Sequence, residues 1–179
     1  MMAEAELTAG KDSGGLLCDA PDVCPVSTAC LPGRSVPCLD MGRAHEEKLR
    51  LCDDLEKIAD GLPRHVDRHL CLTIAARIVP LLKESHAYEE EHVFPAFAAA
   101  ATPPSVGDAS IRRLKAEHVE DECAAQDLAD VLFVIGHGSA IDNPEALGFM
   151  LRAFFEAVRR HIAFEREHVM PVLARDIPG

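Results

Sequence analysis

Residues 161–171, HIAFEREHVMP, decide the fold of this chain, because they continue a seam with helical spacing. The spacing alternates between four and three residues, as on the inward face of a helix in a bundle. The seam consists of Leu147, Leu151, Phe154, Val158, His161, Glu165, His168 and Val172. The seam begins with apolar residues and then continues with the ionisable residues His161, Glu165 and His168. Because burying ionisable groups without partners is costly, the pattern predicts that they face one another or a metal ion.

A second stretch, residues 86–95 with the sequence HAYEEEHVFP, resembles the first. The helical segment before each stretch carries a lone histidine on its apolar face, His45 in one half and His118 in the other. The chain therefore contains two helical hairpins of the same design. Packed against each other, two such hairpins form an all-α, up-down four-helix bundle with approximate two-fold symmetry, which is the fold that we predict.

Glycine and proline divide the chain into four predicted helices, over about residues 41–61, 64–100, 108–135 and 143–175. Asn143 followed by Pro144 is typical of a helix start. We expect residues 40–176 to form the bundle and residues 1–39 to form a flexible tail. This tail holds four of the seven cysteines, namely Cys18, Cys24, Cys30 and Cys38. Their spacing matches no common zinc pattern, and an odd cysteine count disfavours a disulfide scaffold.

The charge balance excludes two classes of partner. Eighteen basic and 30 acidic residues give a net charge of -12, which repels nucleic acids and anionic membranes. No apolar run approaches the roughly 18 to 20 residues that a membrane span needs. The N-terminus lacks the plan of a secretory signal, so we expect a cytoplasmic protein.

The ionisable half of each hairpin has the composition of a metal site. His86 with Glu90, and His161 with Glu165, lie one helical turn apart and so share a face. With the two lone histidines they supply four imidazoles and two carboxylates, which suit two ions of iron, manganese or zinc. His45 is about 10 Å from the level of His86 along the bundle axis, at about 1.5 Å per residue. An offset of the helices or a kink at Pro80 would have to absorb this difference.

The order His, His-x3-Glu, His, His-x3-Glu resembles the hemerythrin-like (HHE cation-binding) domains over about residues 41–175. The resemblance implies a non-heme centre of two iron ions with an oxo or hydroxo bridge, and zinc or manganese as alternatives. It also implies an open position for O2, NO or peroxide. The implied ligands are His45, His86, Glu90, His118, His161 and Glu165.

The carboxylate ligand of the second helix remains open between two residues. Spacing from His86 selects Glu90, whereas aligning Pro95 with Pro171 selects Glu89 as the counterpart of Glu165. Two further histidines, His92 and His168, occupy matching places near the ends of these helices. We expect them to pack in the core or to support the ligands, with a fifth histidine ligand as the alternative.

Three functions fit this pattern. We favour a non-enzymatic iron protein that binds or senses O2 or NO, or responds to iron or redox state. The same centre in an enzyme would decompose peroxide, and Tyr88 is the only phenol in the chain. A third possibility is a structural bundle that holds zinc or mixed metals.

Overall fold

The computed structural model describes residues 37–175, and the side chains of residues 40–174. It contains α1 (Pro37–Gly61), α2 (Arg68–Tyr88), a π-helical turn π1 (Glu89–Val93), α3 (Phe94–Ala100), α4 (Pro104–Gly136), α5 (Pro144–Phe164), a second π-helical turn π2 (Glu165–Val169) and α6 (Met170–Arg175). The elements α2, π1 and α3 follow one another without a break, as do α5, π2 and α6. Residues 37–175 thus form four long helices without a strand, and the predicted four-helix bundle is confirmed.

The predicted helix starts differ from the observed ones where capping decides them. Helix α1 begins at Pro37, so the backbone of residues 37–39, predicted as tail, is helical. Helix α2 begins at Arg68 because the Asp67 carboxylate accepts a hydrogen bond from the backbone N–H of Leu70 at 3.0 Å. Helix α4 begins at Pro104, whose ring suits the first turn of a helix. Cys18, Cys24, Cys30 and the rest of the predicted tail before residue 37 lie outside the described residues, so the tail stays a prediction.

The helices form a closed ring of neighbours. Helix α1 packs against α2 and α5, while α4 packs against α2 and α5. Two apolar clusters fill the interior: a large one that includes Leu55, Ile78, Leu132 and Leu151, and a smaller one around Phe94. On each long helix, ionisable residues lie between these clusters, so the bundle has one polar layer within an apolar core.

The π turns shift the inward face by one residue, because a π turn holds more residues than an α turn. After Glu165 the buried residues are Val169 and Leu173, whereas the predicted seam residue His168 is exposed and Val172 is half-buried. The predicted seam is therefore wrong beyond Glu165. It places both residues correctly on a helix but misses the change of register.

The apolar spacing of the second helix predicts an inward seam of Leu72, Ala75, Val79, Leu82, His86, Glu89 and Val93. The observed inward row is displaced from this seam at its start. The predicted residues Leu72, Ala75 and Val79 are half-buried, while the neighbouring row Cys71, Ile74 and Ile78 faces the core. Both rows are apolar and have helical spacing, so only packing against α1 and α4 selects between them. None of the described helices combines the length and the apolarity that crossing a membrane requires.

Candidate metal centre

The polar layer draws side chains from all four long helices. Its members are buried despite being ionisable or polar, and they are His45, Lys48, Ser85, His86, Glu89, His118, Asp121, His161 and Glu165. Six of the seven residues predicted as ligands are at 3% exposure or less, namely His45, His86, Glu89, His118, His161 and Glu165. Only Glu90 among the predicted ligands lies at the edge of the layer, with its side chain 38% exposed. The bundle thus brings the predicted ligands to one place, including His45, whose level was uncertain.

Four inward-facing atoms of this layer lie in close pairs without a hydrogen bond between them. His118 Nε2 is 3.0 Å from Glu89 Oε2, and His161 Nε2 is 3.5 Å from Glu165 Oε1. None of the four atoms has a hydrogen-bond partner among the described residues. Buried polar atoms are nearly always paired, so each exception needs an explanation. Converging nitrogen and oxygen atoms of this kind are what a metal ion requires of its ligands.

The outward nitrogens of three histidines are each held by a carboxylate. In every case Nδ1 lies 3.0 Å from a glutamate oxygen of a neighbouring helix. The pairs are His86 with Glu122, His118 with Glu90, and His161 with Glu117. Such a partner keeps the proton on Nδ1 and leaves Nε2 as the nitrogen that can bind a metal. Sequence reasoning left Glu122 unassigned and did not single out Glu117, although both lie within one turn of His118.

The position of π1 separates the two glutamates that the sequence left open. Glu89 is fully buried and points into the layer. Glu90 points away from it, and its carboxylate pairs with His118 Nδ1 and, at 3.0 Å, with Lys115 Nζ. Glu89 therefore occupies the place of an inner carboxylate, and Glu90 orients a histidine.

Two interactions link α1 to the centre of the layer. His45 Nε2 lies 2.8 Å from Glu165 Oε2. Lys48 Nζ donates to Glu89 Oε1 at 2.8 Å, and the Ser85 hydroxyl donates to the same oxygen at 2.9 Å. Sequence reasoning missed Lys48, although its place one turn after His45 on the same helix could have revealed it.

The environment sets the charge of the inner groups. Burial lowers the pKa of His86 to about 3, so this imidazole is neutral at physiological pH, as metal binding requires. Burial acts to raise the pKa of Glu89, but the Lys48 ammonium and the adjacent His118 imidazole outweigh it and hold that pKa below its usual range. Glu89 is therefore a carboxylate anion in the middle of the bundle.

The remaining histidines of the described residues lie outside the layer. The side chains of His92 and His168 are 49% and 48% exposed, so neither packs in the core as expected. Their rings lie against Tyr88 and Phe164 on the surface. His65, His69 and His137 are exposed as well.

Two sets of donor atoms are close enough together to hold a cation. Metal position A consists of His86, Glu89 and His118, and metal position B consists of His45, Glu89 and Glu165. Within each set the ligand atoms lie within 4.8 Å of one another. Glu89 belongs to both sets, so the two positions are adjacent. The donors are nitrogen and oxygen without sulfur, which suits iron, manganese or zinc.

Comparison with known families agrees with this geometry. A family model described as Hemerythrin HHE cation binding domain matches residues 40–173. The chain belongs to this family. The match spans the whole polar layer of the HHE domain, and membership together with the buried His and Glu groups makes it a cation-binding bundle. No curated protein and no solved structure matches the chain.

Proposed function

We propose that this HHE domain holds two iron ions in metal positions A and B and uses them to bind or sense O2 or NO, or to respond to iron and redox state. The observation that carries the proposal is the pair of adjacent donor sets that share Glu89. Bound iron would supply redox chemistry and an open coordination position for a small ligand. His161 supports position B from the side, since its Nε2 lies 3.5 Å from Glu165 Oε1.

The side chains around the layer prepare it for a charged ion. Glu90, Glu117 and Glu122 hold the Nδ1 protons of three histidines and so direct the Nε2 lone pairs inward. The same carboxylates add negative charge close to the site, which favours cations. The bundle thus presents the neutral imidazole of His86 beside the ionised carboxylate of Glu89, and three of its histidines already direct Nε2 inward.

Burial of the layer favours a small ligand over a large substrate. His45, Glu89 and Glu165 are at 0% exposure, and apolar clusters lie on both sides of them. The ring of Phe94 stacks on His118 with their centroids 5.5 Å apart, which excludes water from that side. A diatomic gas or peroxide is small enough to enter such a site. An organic substrate would have to separate the helices.

The first test of the proposal is the metal content of the purified protein. We expect about two irons per chain in the native protein and almost none in a His118→Ala/His161→Ala variant. The matched control is His92→Ala/His168→Ala, which removes two exposed histidines outside the layer, one from each helical hairpin. The proposal is wrong if the native protein binds no iron, or if the His118/His161 variant keeps its iron.

A second measurement separates gas binding from the alternatives. A reversible change of the visible spectrum with O2 or NO, without consumption of peroxide, supports the sensor. Rapid turnover of peroxide would instead identify an enzyme. A colourless zinc form from cells supplied with iron would identify a structural bundle.

A further inference from the structure

Lys48 is a buried lysine at the centre of the polar layer. Only 1% of its side chain is exposed, and its Nζ lies 2.8 Å from Glu89 Oε1. Lysine is almost never fully buried unless it is paired. The pairing found here is with the one carboxylate that belongs to both metal positions. Lys48 therefore acts on the site itself rather than on the surface.

The two oxygens of Glu89 are in different states. Oε2 has no hydrogen-bond partner among the described residues and faces His118. Oε1 accepts from Lys48 Nζ and from the Ser85 hydroxyl. If two ions each took one oxygen of Glu89, the Lys48 ammonium would hold the oxygen that remains for the second ion. At such short range the ammonium also repels a second cation strongly.

The two metal positions differ in the same way. In position A, His118 Nε2 and Glu89 Oε2 are both without partners, so an ion can bind them without breaking an internal hydrogen bond. In position B, His45 Nε2 is bonded to Glu165 Oε2, and Glu89 reaches the ammonium of Lys48 through Oε1. His45 Nε2 and Glu89 Oε1 can therefore bind an ion in position B only after their present interactions give way.

We propose that Lys48 makes the two metal positions unequal, so that position A fills first and position B fills only after the ammonium leaves Glu89. This inference rests on the proposed two-iron function. It assigns the response to iron to a defined step, namely the loading of position B. Over a range of iron concentrations the protein then carries one ion per chain, with Lys48 as the second cation of the layer.

The experiment is an anaerobic titration of the metal-free protein with ferrous ion, followed by native mass spectrometry, which counts the ions on each chain. For the native protein we expect a one-ion species to accumulate well before the two-ion species. In Lys48→Met, the iron concentration at which the two-ion species forms should fall by about 10- to 100-fold, the range of a hydrogen bond between charged groups. Lys57→Met is the matched control, since Lys57 lies on the same helix and pairs with Asp54 on the surface.

A second variant, Lys48→Gln, guards against loss of folding, because glutamine can still donate to Glu89 without a positive charge. Circular dichroism of each metal-free variant checks its helix content. The native titration alone overturns the inference if the two ions bind together without a one-ion stage, and in that case the two-iron function stands. If the native protein and both Lys48 variants stop at one ion, the inference and the proposed two-iron function both fail. If no ferrous ion binds, the proposed function fails and the inference fails with it.

Discussion

Glu89 Oε2 lies 3.0 Å from His118 Nε2, yet the two atoms share no hydrogen bond. The proton of His118 is accounted for at Nδ1, which pairs with Glu90. Nε2 then presents a lone pair to a carboxylate oxygen that also carries lone pairs. Buried together, these atoms repel each other, and a cation between them would remove the repulsion. The role of π1 in this relationship is to turn Glu89 inward and Glu90 outward.

Glu89→Gln should abolish stoichiometric iron binding, whereas Glu90→Gln should only weaken it. The first change removes a charged oxygen from both metal positions. The second removes a partner of His118 Nδ1 and should lower the affinity for iron by about 10- to 100-fold. Competition with a chelator of known affinity measures both effects. If Glu90→Gln loses all iron and Glu89→Gln keeps it, the assignment of the two residues is reversed.

Glu117→Gln and Glu122→Gln test whether the carboxylates that hold Nδ1 matter for binding. Each variant should keep its helix content and lose about 10- to 100-fold in iron affinity, because His161 or His86 loses the partner that orients it. Glu120→Gln is a suitable control, since Glu120 is exposed on the same helix. Affinities equal to that of the control would mean that these carboxylates have no part in the site.

The three cysteines whose side chains the structure describes, Cys52, Cys71 and Cys123, should differ sharply in reactivity. Cys52 is fully buried, and burial raises the pKa of its thiol to about 12, so almost no thiolate exists at neutral pH. Cys71 is also buried, whereas Cys123 is exposed. Alkylation of the native protein followed by peptide mapping should modify Cys123 and spare the other two. Alkylation in denaturant is the control and should modify all three, and fast native labelling of Cys52 would contradict the packing around it.

Asn143→Ala should destabilise the bundle without touching the polar layer. The Asn143 side chain caps α5 by accepting a hydrogen bond from the backbone N–H of Ala146 at 2.9 Å. Losing such a cap costs about 1 kcal/mol in the free energy of unfolding, which denaturant titration can resolve. Asn143→Asp keeps an acceptor and should cost less. The iron content of both variants should match that of the native protein, and a loss of iron would show that α5 is not positioned independently of its cap.

Local patterns in the sequence were enough for the fold and for most of the candidate site. Periodicity and the repeated hairpin predicted four helices, and the helix start after Asn143 was predicted from its capping chemistry. The family model agrees with the resemblance drawn from residues 86–95 and 161–171. The weaker predictions, such as the seam through Leu72 and the inward placement of His168, concern which side of a helix faces the core. They depend on packing and on π turns, which simple periodicity does not contain.

The sequence by itself determined the helices, their order and the presence of four histidines and at least two carboxylates on apolar faces, because spacing along a helix is a local property. Only the tertiary structure decided that Glu89 faces inward while Glu90 supports His118, and that Glu117 and Glu122 hold the other imidazoles. It also decided that Lys48 reaches Glu89 on the neighbouring helix. These interactions join residues of different helices, and their geometry is set by how the helices pack and by the extra residue in each π turn.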